Sequence, residues 1–292
     1  MIYRERLPSP ELRELVERLW WLEGEAEEIV AEPIPPDGHA EIVVHAGEPF
    51  RETERGGGEP RQERVLLAGQ TTRAVRVAPT GFARVAGARL RPDAAHALFG
   101  CPQWELTDRV ADLRDVAPAL ARTLRDDVAG RERGEEMLSG LDAALSASAS
   151  RLRRAERPVS PALRLAAERG GLVRVDDLAR RMGVTPRQTE RLFRERVGLS
   201  PKLFLRIVRF QRALSAIRAR RRTAWADLAV ALGFYDQSHL IRDFRGFAGG
   251  APAAWSPSDE SLAAVFSAVR REARGPSAED VAFFQDAAGA SA

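Results

Sequence analysis

One pattern occurs twice in this sequence, with its glycines 50 residues apart, and it restricts the fold more than any other feature. Each copy places a small residue, Ala179 or Ala229, four positions before a glycine, Gly183 or Gly233. Alanine lets a second helix cross closely, and glycine supplies the left-handed C-cap that turns the chain. Apolar residues surround each pair: Leu178, Met182 and Val184 in the first copy, Leu228, Leu232 and Phe234 in the second. A second helix follows each turn, with Leu192 and Phe193, or Leu240 and Phe244, facing inward. The repeat predicts two helix-turn-helix units in tandem, and hence an all-α domain over residues 159–257.

Between the copies, Pro201 to Ala219 reads as one basic helix. At 1.5 Å per residue it spans roughly 28 Å. Two recognition helices in successive major grooves would lie about one helical turn of DNA, ~34 Å, apart. Thr185 is the expected N-cap of the first recognition helix, with Pro186 at its first position, and Asp236 is the expected N-cap of the second. Residues near those starts and one turn on should face bases: Arg187, Gln188, Glu190 and Arg191, then Gln237, Ser238, His239 and Arg242. Arg191 suits guanine O6 and N7, Glu190 suits cytosine N4, Gln237 suits adenine, and Arg242 suits guanine or a phosphate. Arg194, Lys202, Arg206 and Arg209 read as phosphate contacts or solvated cations.

At these residues the chain resembles the DNA-binding domain of AraC/XylS-type transcriptional regulators, from about Val159 to Pro257. The match includes the segment Gly198–Leu214, the run Gly233–Phe244, and Gly249 and Pro252 where the family ends its last helix. The resemblance implies double-stranded DNA as partner and puts Arg187, Glu190 and Arg191 on base-contacting positions. It also raises contact with RNA polymerase and homodimerisation. Two residues depart from the family pattern. Thr189 stands where a large apolar residue is usual, and Glu190, in place of a neutral amide, adds repulsion near phosphates.

Charge divides along the same line. Residues 159–257 hold 19 Arg and Lys against 8 Asp and Glu, a balance of +11. The chain as a whole carries +3, so the remainder carries −8. A basic module on an acidic one suggests a nucleic-acid-binding end and an end kept off the phosphates. Lys202 is the only lysine, which fits arginine-favouring coding bias and makes arginine abundance poor evidence by itself. No apolar run approaches the ~20 residues of a membrane span. The first residues lack a signal pattern, so the chain reads as soluble and cytoplasmic.

The preceding half predicts an α+β domain: a small antiparallel β-barrel or sandwich plus helices. Leu12, Leu15, Val16 and Leu19 have helical spacing after Ser9-Pro10, so residues 9–22 read as a helix passing into a strand near Trp20. Strands are expected at Ile29–Ile34, Ala40–His45, Arg64–Ala68, Val75–Ala78 and Phe82–Leu90, with a loop tip at 55–60. Helices follow at Asp93–Phe99, Val116–Val128 and Glu132–Leu145. The expected division is a sensory or dimerisation domain at 1–148, a linker at 149–158, the DNA-binding domain at 159–257 and a tail at 258–292. The tail should hold a helix at Leu262–Ala273 and a segment Asp280–Asp286, docked on the first domain. Trp20, Pro36–Val44, Ala68–Gln70 and Arg89–Pro92 are similar to a sensory domain common in bacterial regulators of this family, which implies a small-molecule effector without naming one.

Three features carry chemistry on other readings. His39, Glu41 and His45 share one face of a strand and suit Zn or Fe, although the resemblance predicts neither metal nor cofactor. Cys101, with His96 and Arg91 nearby, raises alkyl-transfer repair, because a nucleophilic thiolate needs a base or cations beside it. A DNA-targeted enzyme is therefore the alternative to a regulator, and a binder without effector is a third reading. Trp20, Trp21 and Trp104 line a ligand pocket or fill the core, with two of the three expected in the core.

Overall fold

The computed structural model describes residues 1–25, 31–53, 58–151, 157–219 and 225–252. The expected core position Trp255 and the whole tail therefore lie outside the described residues, as do Ile29 and Val30.

Among the described residues nine strands make two antiparallel sheets. The larger has the order β1 (Ile2–Arg6), β2 (Val16–Gly24), β8 (Ala83–Leu90), β4 (Glu41–His45), β6 (Val65–Ala68) and β9 (Val110–Asp112). The smaller has β3 (Glu32–Ile34), β7 (Val75–Ala78) and β5 (Arg51–Thr53). The period of two along each strand sorts the side chains of the larger sheet into two cores. Leu19, Ile42, Val44, Leu67, Ala86, Ala88 and Leu90 face a helical layer. That layer is α1 (Ala94–Phe99), α2 (Leu113–Val116), α3 (Pro118–Asp127) and α4 (Gly134–Arg151). On the opposite face Trp20, Leu22, Ala83 and Val85 pack with Val77 of the smaller sheet and with Phe50, just before β5. The expected α+β fold is what forms.

The strands expected from Ala40 onward hold to within a residue, the one expected at Ile29–Ile34 is described only as β3 from Glu32, and β1, β5 and β9 are additional. The helix expected at 9–22 does not form. Pro10–Leu12 is a single 3-10 turn, and β2 begins at Val16. A register shift between Val16 and Arg18 explains the misleading spacing. The extra residue puts Val16 and Leu19 into the same core three positions apart, which imitates a helix. The expected linker start is also corrected, because α4 continues through Ser146–Ser150 to Arg151. Its last turns dock on the first residues of the chain: Ser9 donates through N and Oγ to Asp142, and Ser146 lies 3.3 Å from Ser9 Oγ.

Two positions show how the space between the sheets is made. Gly87 pairs with Trp20 across β2 and β8, and a Cβ there would lie 2.3 Å from the indole ring. His45 is fully buried beside Phe50, and its Nε2 meets Gln62 Oε1 at 3.2 Å. Burial pushes the His45 imidazole down to about 4 from its ordinary 6.5.

Replacing Gly87 by Ala should displace the indole and destabilise the chain by about 1–3 kcal/mol in urea unfolding; an unchanged midpoint would show that the sheet relaxes freely. For His45, the unfolded chain binds a proton that the folded chain refuses between pH 6.5 and about 4. Its contribution to stability is thus complete above 6.5 and lost as pH falls through that window. His45→Gln should flatten the pH dependence of unfolding there by up to about 3 kcal/mol relative to the parent chain; parallel curves for the two proteins would contradict this.

Candidate nucleic-acid interface

Residues beyond the linker fold as helices. These are α5 (Ser160–Glu168), α6 (Val175–Met182), α7 (Pro186–Val197), α8 (Pro201–Ala219), α9 (Trp225–Ala231) and α10 (Gln237–Ala248). The two turns are chemically the same. Gly183 and Gly233 adopt φ of 70° and 69°. Each is followed by the same six-residue closure, Val184 N to Ala179 O at 3.1 Å and Phe234 N to Ala229 O at 2.9 Å. Ala179 and Ala229 are buried where the following helix crosses.

Both recognition helices start at the expected caps. Thr185 Oγ1 accepts from Gln188 N at 3.2 Å, and Asp236 Oδ1 accepts from His239 N at 2.7 Å. α8 runs between the expected ends and joins the units. Phe204 meets Phe193 of α7 edge-on at 6.0 Å, and Phe210 meets Phe244 and Phe247 of α10 at 5.3 and 5.2 Å. The expected packing residues Leu178, Phe193, Leu228, Leu232, Leu240 and Phe244 are all buried.

The candidate DNA-facing side chains stand as follows. Arg187, Arg191 and Arg194 are exposed along one side of α7, with Glu190 half-buried beside them. Arg191 pairs with Glu195 at 3.5 Å, four residues on and largely in water. Such a pair is worth only tenths of a kcal/mol, so the guanidinium is easily redirected. Gln188 is exposed, but its Oε1 accepts from Thr185 N at 3.0 Å and closes a capping box. Bidentate reading of adenine would cost that cap. On α10, Gln237, Ser238 and Arg242 are exposed. His239 is held: its ring stands perpendicular to Phe234 at 5.5 Å, and Tyr235 N lies 3.5 Å from Nδ1. Thr189 is fully buried, and its hydroxyl donates to Thr185 O at 3.1 Å.

Two basic residues are corrected. Arg206, though its side chain is partly exposed, is not a free cation, since it donates to buried Asp243 at 2.7 Å and lies over Phe247. Arg209 is half-buried over the Phe234 ring. Sequence reasoning passed over Tyr235, which is 90% exposed just before the N-cap of α10. An aromatic beside a recognition-helix cap was the available signal.

The sheet-rich domain touches the back of this module. Buried Asp93 accepts from Ser160 Oγ at 2.7 Å and from Arg157, and Thr107 Oγ1 donates to Gly198 O at 2.8 Å behind α7. Gln211 of α8 reaches between the sheets and donates to Pro36 O. It is one wall of a cavity of about 140 Å³ lined by residues such as Trp20, Val43, Phe50, Leu66, Val85 and Arg89.

His39, Glu41 and His45 all line that cavity, as their shared face requires. They are not gathered as ligands. His39 Nδ1 meets Leu90 O at 2.8 Å and its Nε2 meets Glu17 at 3.3 Å, while His45 meets Gln62. Among the described residues no three His, Cys, Asp or Glu side chains could hold a metal ion. Cys101 lacks the setting an alkyl-accepting thiolate needs. His96 Nδ1 meets the Cys101 carbonyl rather than its sulfur, and burial pushes the thiol pKa up. Of the tryptophans, Trp20 is buried against the cavity, Trp21 is half-buried over Gly134, and Trp104 is 53% exposed. No described helix is long and apolar enough to cross a membrane.

Residues 178–257 match a family described as a helix-turn-helix domain. Residues 4–112 match one described as a domain of unknown function (DUF6597). No curated protein matches the chain. Among solved structures, it is similar to wild-type ToxT from Vibrio cholerae strain SCE256 bound to an unsaturated fatty acid. That similarity has a TM-score of 0.45 and 9% identity over 86% of this chain and 96% of the other. ToxT from Vibrio cholerae O395 bound to (E)-4-(8-methylnaphthalen-1-yl)but-3-enoic acid gives 0.45 and 8% over 85% and 98%. The AraC-like transcriptional activator CuxR gives 0.23 and 14% over 73% and 86%. None of these superpositions is close enough to transfer a residue or a ligand. Tandem turns of one chemistry on a shared helix, together with the family match over them, lead to one conclusion: the chain carries a helix-turn-helix domain of the AraC type, a DNA-binding module.

Proposed function

We propose that α7 and α10 enter successive major grooves on one face of the duplex, and that a small molecule held between the two sheets controls how well they do so. The first part is carried by one observation: α7 and α10, each following the same glycine turn and each started by a side-chain cap, expose arginines on either side of a single 19-residue helix, α8. Arg187, Glu190 and Arg191 would read one half-site, and Gln237, Ser238 and Arg242 the other, with Arg194 on phosphate. Gln188 and His239 serve this reading mainly by holding the helix starts. Tyr235 joins the second half-site, where its exposed ring suits a thymine methyl group or a sugar face. Homodimerisation and contact with RNA polymerase belong to the same reading and rest on the family resemblance.

Effector control is supported by the cavity and by its wall. A ligand shifts an equilibrium only through a difference in affinity between two states. Gln211 gives the cavity a boundary on α8, so any movement of that helix changes the site.

Arg191→Ala and Arg242→Ala should each cost about 1–3 kcal/mol of affinity at the specific site while leaving random DNA nearly unchanged. Equal losses on both DNAs would make them phosphate contacts. Ala68→Leu, which extends into the cavity, should abolish the response of DNA affinity to any small molecule that stabilises the parent chain. Cavity-bound compounds that leave DNA affinity unchanged in the parent would refute effector control.

A further inference from the structure

The cavity is apolar over most of its lining, yet its polar groups are strongly one-sided. Four carboxylates line it, Asp37, Glu41, Glu52 and Asp108, against two guanidinium groups, Arg89 and Arg109. Arg89 is already claimed. It is 3% exposed, donates to Asp37, and lies 3.1 Å from Glu17 and 3.6 Å from Glu41. Arg89, one buried cation among three carboxylates, offers an incoming anion repulsion and no free donor, and the other guanidinium, Arg109, belongs to an exposed residue. Neither histidine compensates, because burial lowers the pKa of both His39 and His45 and leaves them neutral near pH 7.

The unmet hydrogen-bonding capacity points the same way. Gln62 donates its amide to Glu52 at 3.1 Å, so its Oε1 must accept from His45 Nε2. The proton therefore sits on Nε2, and His45 Nδ1 is a bare acceptor, buried and without a partner. Gln211 donates its amide to Pro36 O, which orients the side chain and leaves Oε1 equally buried and unpartnered. Both residues line the cavity, and both unmet atoms are acceptors. Orphaned buried polar atoms cost about 1–3 kcal/mol each, which a donor ligand would recover.

Size sets the rest. At about 140 Å³ the cavity is comparable to one of roughly 150 Å³ that holds benzene. We infer that the cavity binds a small cationic amphiphile, a single-ring or short aliphatic body bearing an ammonium-like hydrogen-bond donor, and that Gln211 of α8 accepts from its head group. This rests on the reading of the cavity as an effector site and adds the class of effector. It also assigns the link to DNA: the same amide that would take the ligand's proton donor is carried by the helix joining the two units.

Isothermal titration calorimetry of the full chain at pH 7.5 with 2-phenylethylamine and with phenylacetate separates the classes. The amine should bind at least about tenfold more tightly, a difference of about 1.4 kcal/mol. Gln211→Leu should weaken the amine about fivefold or more and leave phenylacetate unchanged. Glu41→Gln, which lowers the negative charge without touching α8, should also weaken the amine and provides a second variant if Gln211→Leu does not fold. Equal or tighter binding of phenylacetate overturns the cationic class and leaves effector control standing, since an anion would then occupy the same cavity. No binding of either probe at millimolar concentration also overturns the class. Loss of effector control itself is read separately, from Ala68→Leu.

Discussion

The burial of α8 on several sides at once is the constraint on which the rest of this structure depends. Toward the first unit it presents Phe204, Leu205 and Ile207, and toward the second Phe210, Ala213 and Leu214. Arg206 adds a charge-assisted link to Asp243 of α10. Both units close on one rigid rod, so the spacing of their recognition helices follows from side chains of that rod rather than from any contact between α7 and α10. On a further side Gln211 reaches Pro36, and Phe204 packs against Gly38, where a Cβ would lie 3.1 Å from the ring. A helix so fully engaged cannot shift for one partner without disturbing the others.

That arrangement gives the buried polar groups of the sheet domain a meaning beyond stability. Arg89 and its carboxylates are costly to desolvate, and an apolar replacement of such a cluster is often at least as stable. Here the cluster lines a cavity that Gln211 of α8 also lines. Gly87 and Trp20 set the floor, because the missing Cβ lets the indole lie flat across β8. The result is a small, acceptor-rich space in direct contact with the element that positions the DNA-facing helices.

Much of the fold was legible because it is written in short-range patterns. The Ala–Gly repeat, the caps at Thr185 and Asp236, and the short apolar segments that became β4 and β8 follow local rules of backbone chemistry. Failures occurred where a non-local event altered a local period. The bulge at Val16–Arg18 made a strand look helical. Ser146–Ser150 has linker composition, yet it is helical because Asp142 and Ser146 have partners near Ser9 more than 130 residues away. The short strands β5 and β9 carry too few residues to show a period and exist because β7 and β6 offer them edges.

Two helix-turn-helix units, the place where each turns, the residues that begin the helix after each turn, and a sheet-rich preceding domain could all be read from the order of residues alone. All of these follow from φ preferences, capping and periodicity, which act over a few residues. Only the tertiary structure decided which arginines are spent on the protein. Arg206, Arg209 and Arg191 look alike in sequence, yet α10 engages the first through Asp243, the turn before it covers the second with Phe234, and the third stays largely in water. Only the tertiary structure, too, put Gln211 beside residues from Pro36 to His45, because a cavity wall is made by whichever distant surfaces the packing of two domains brings together.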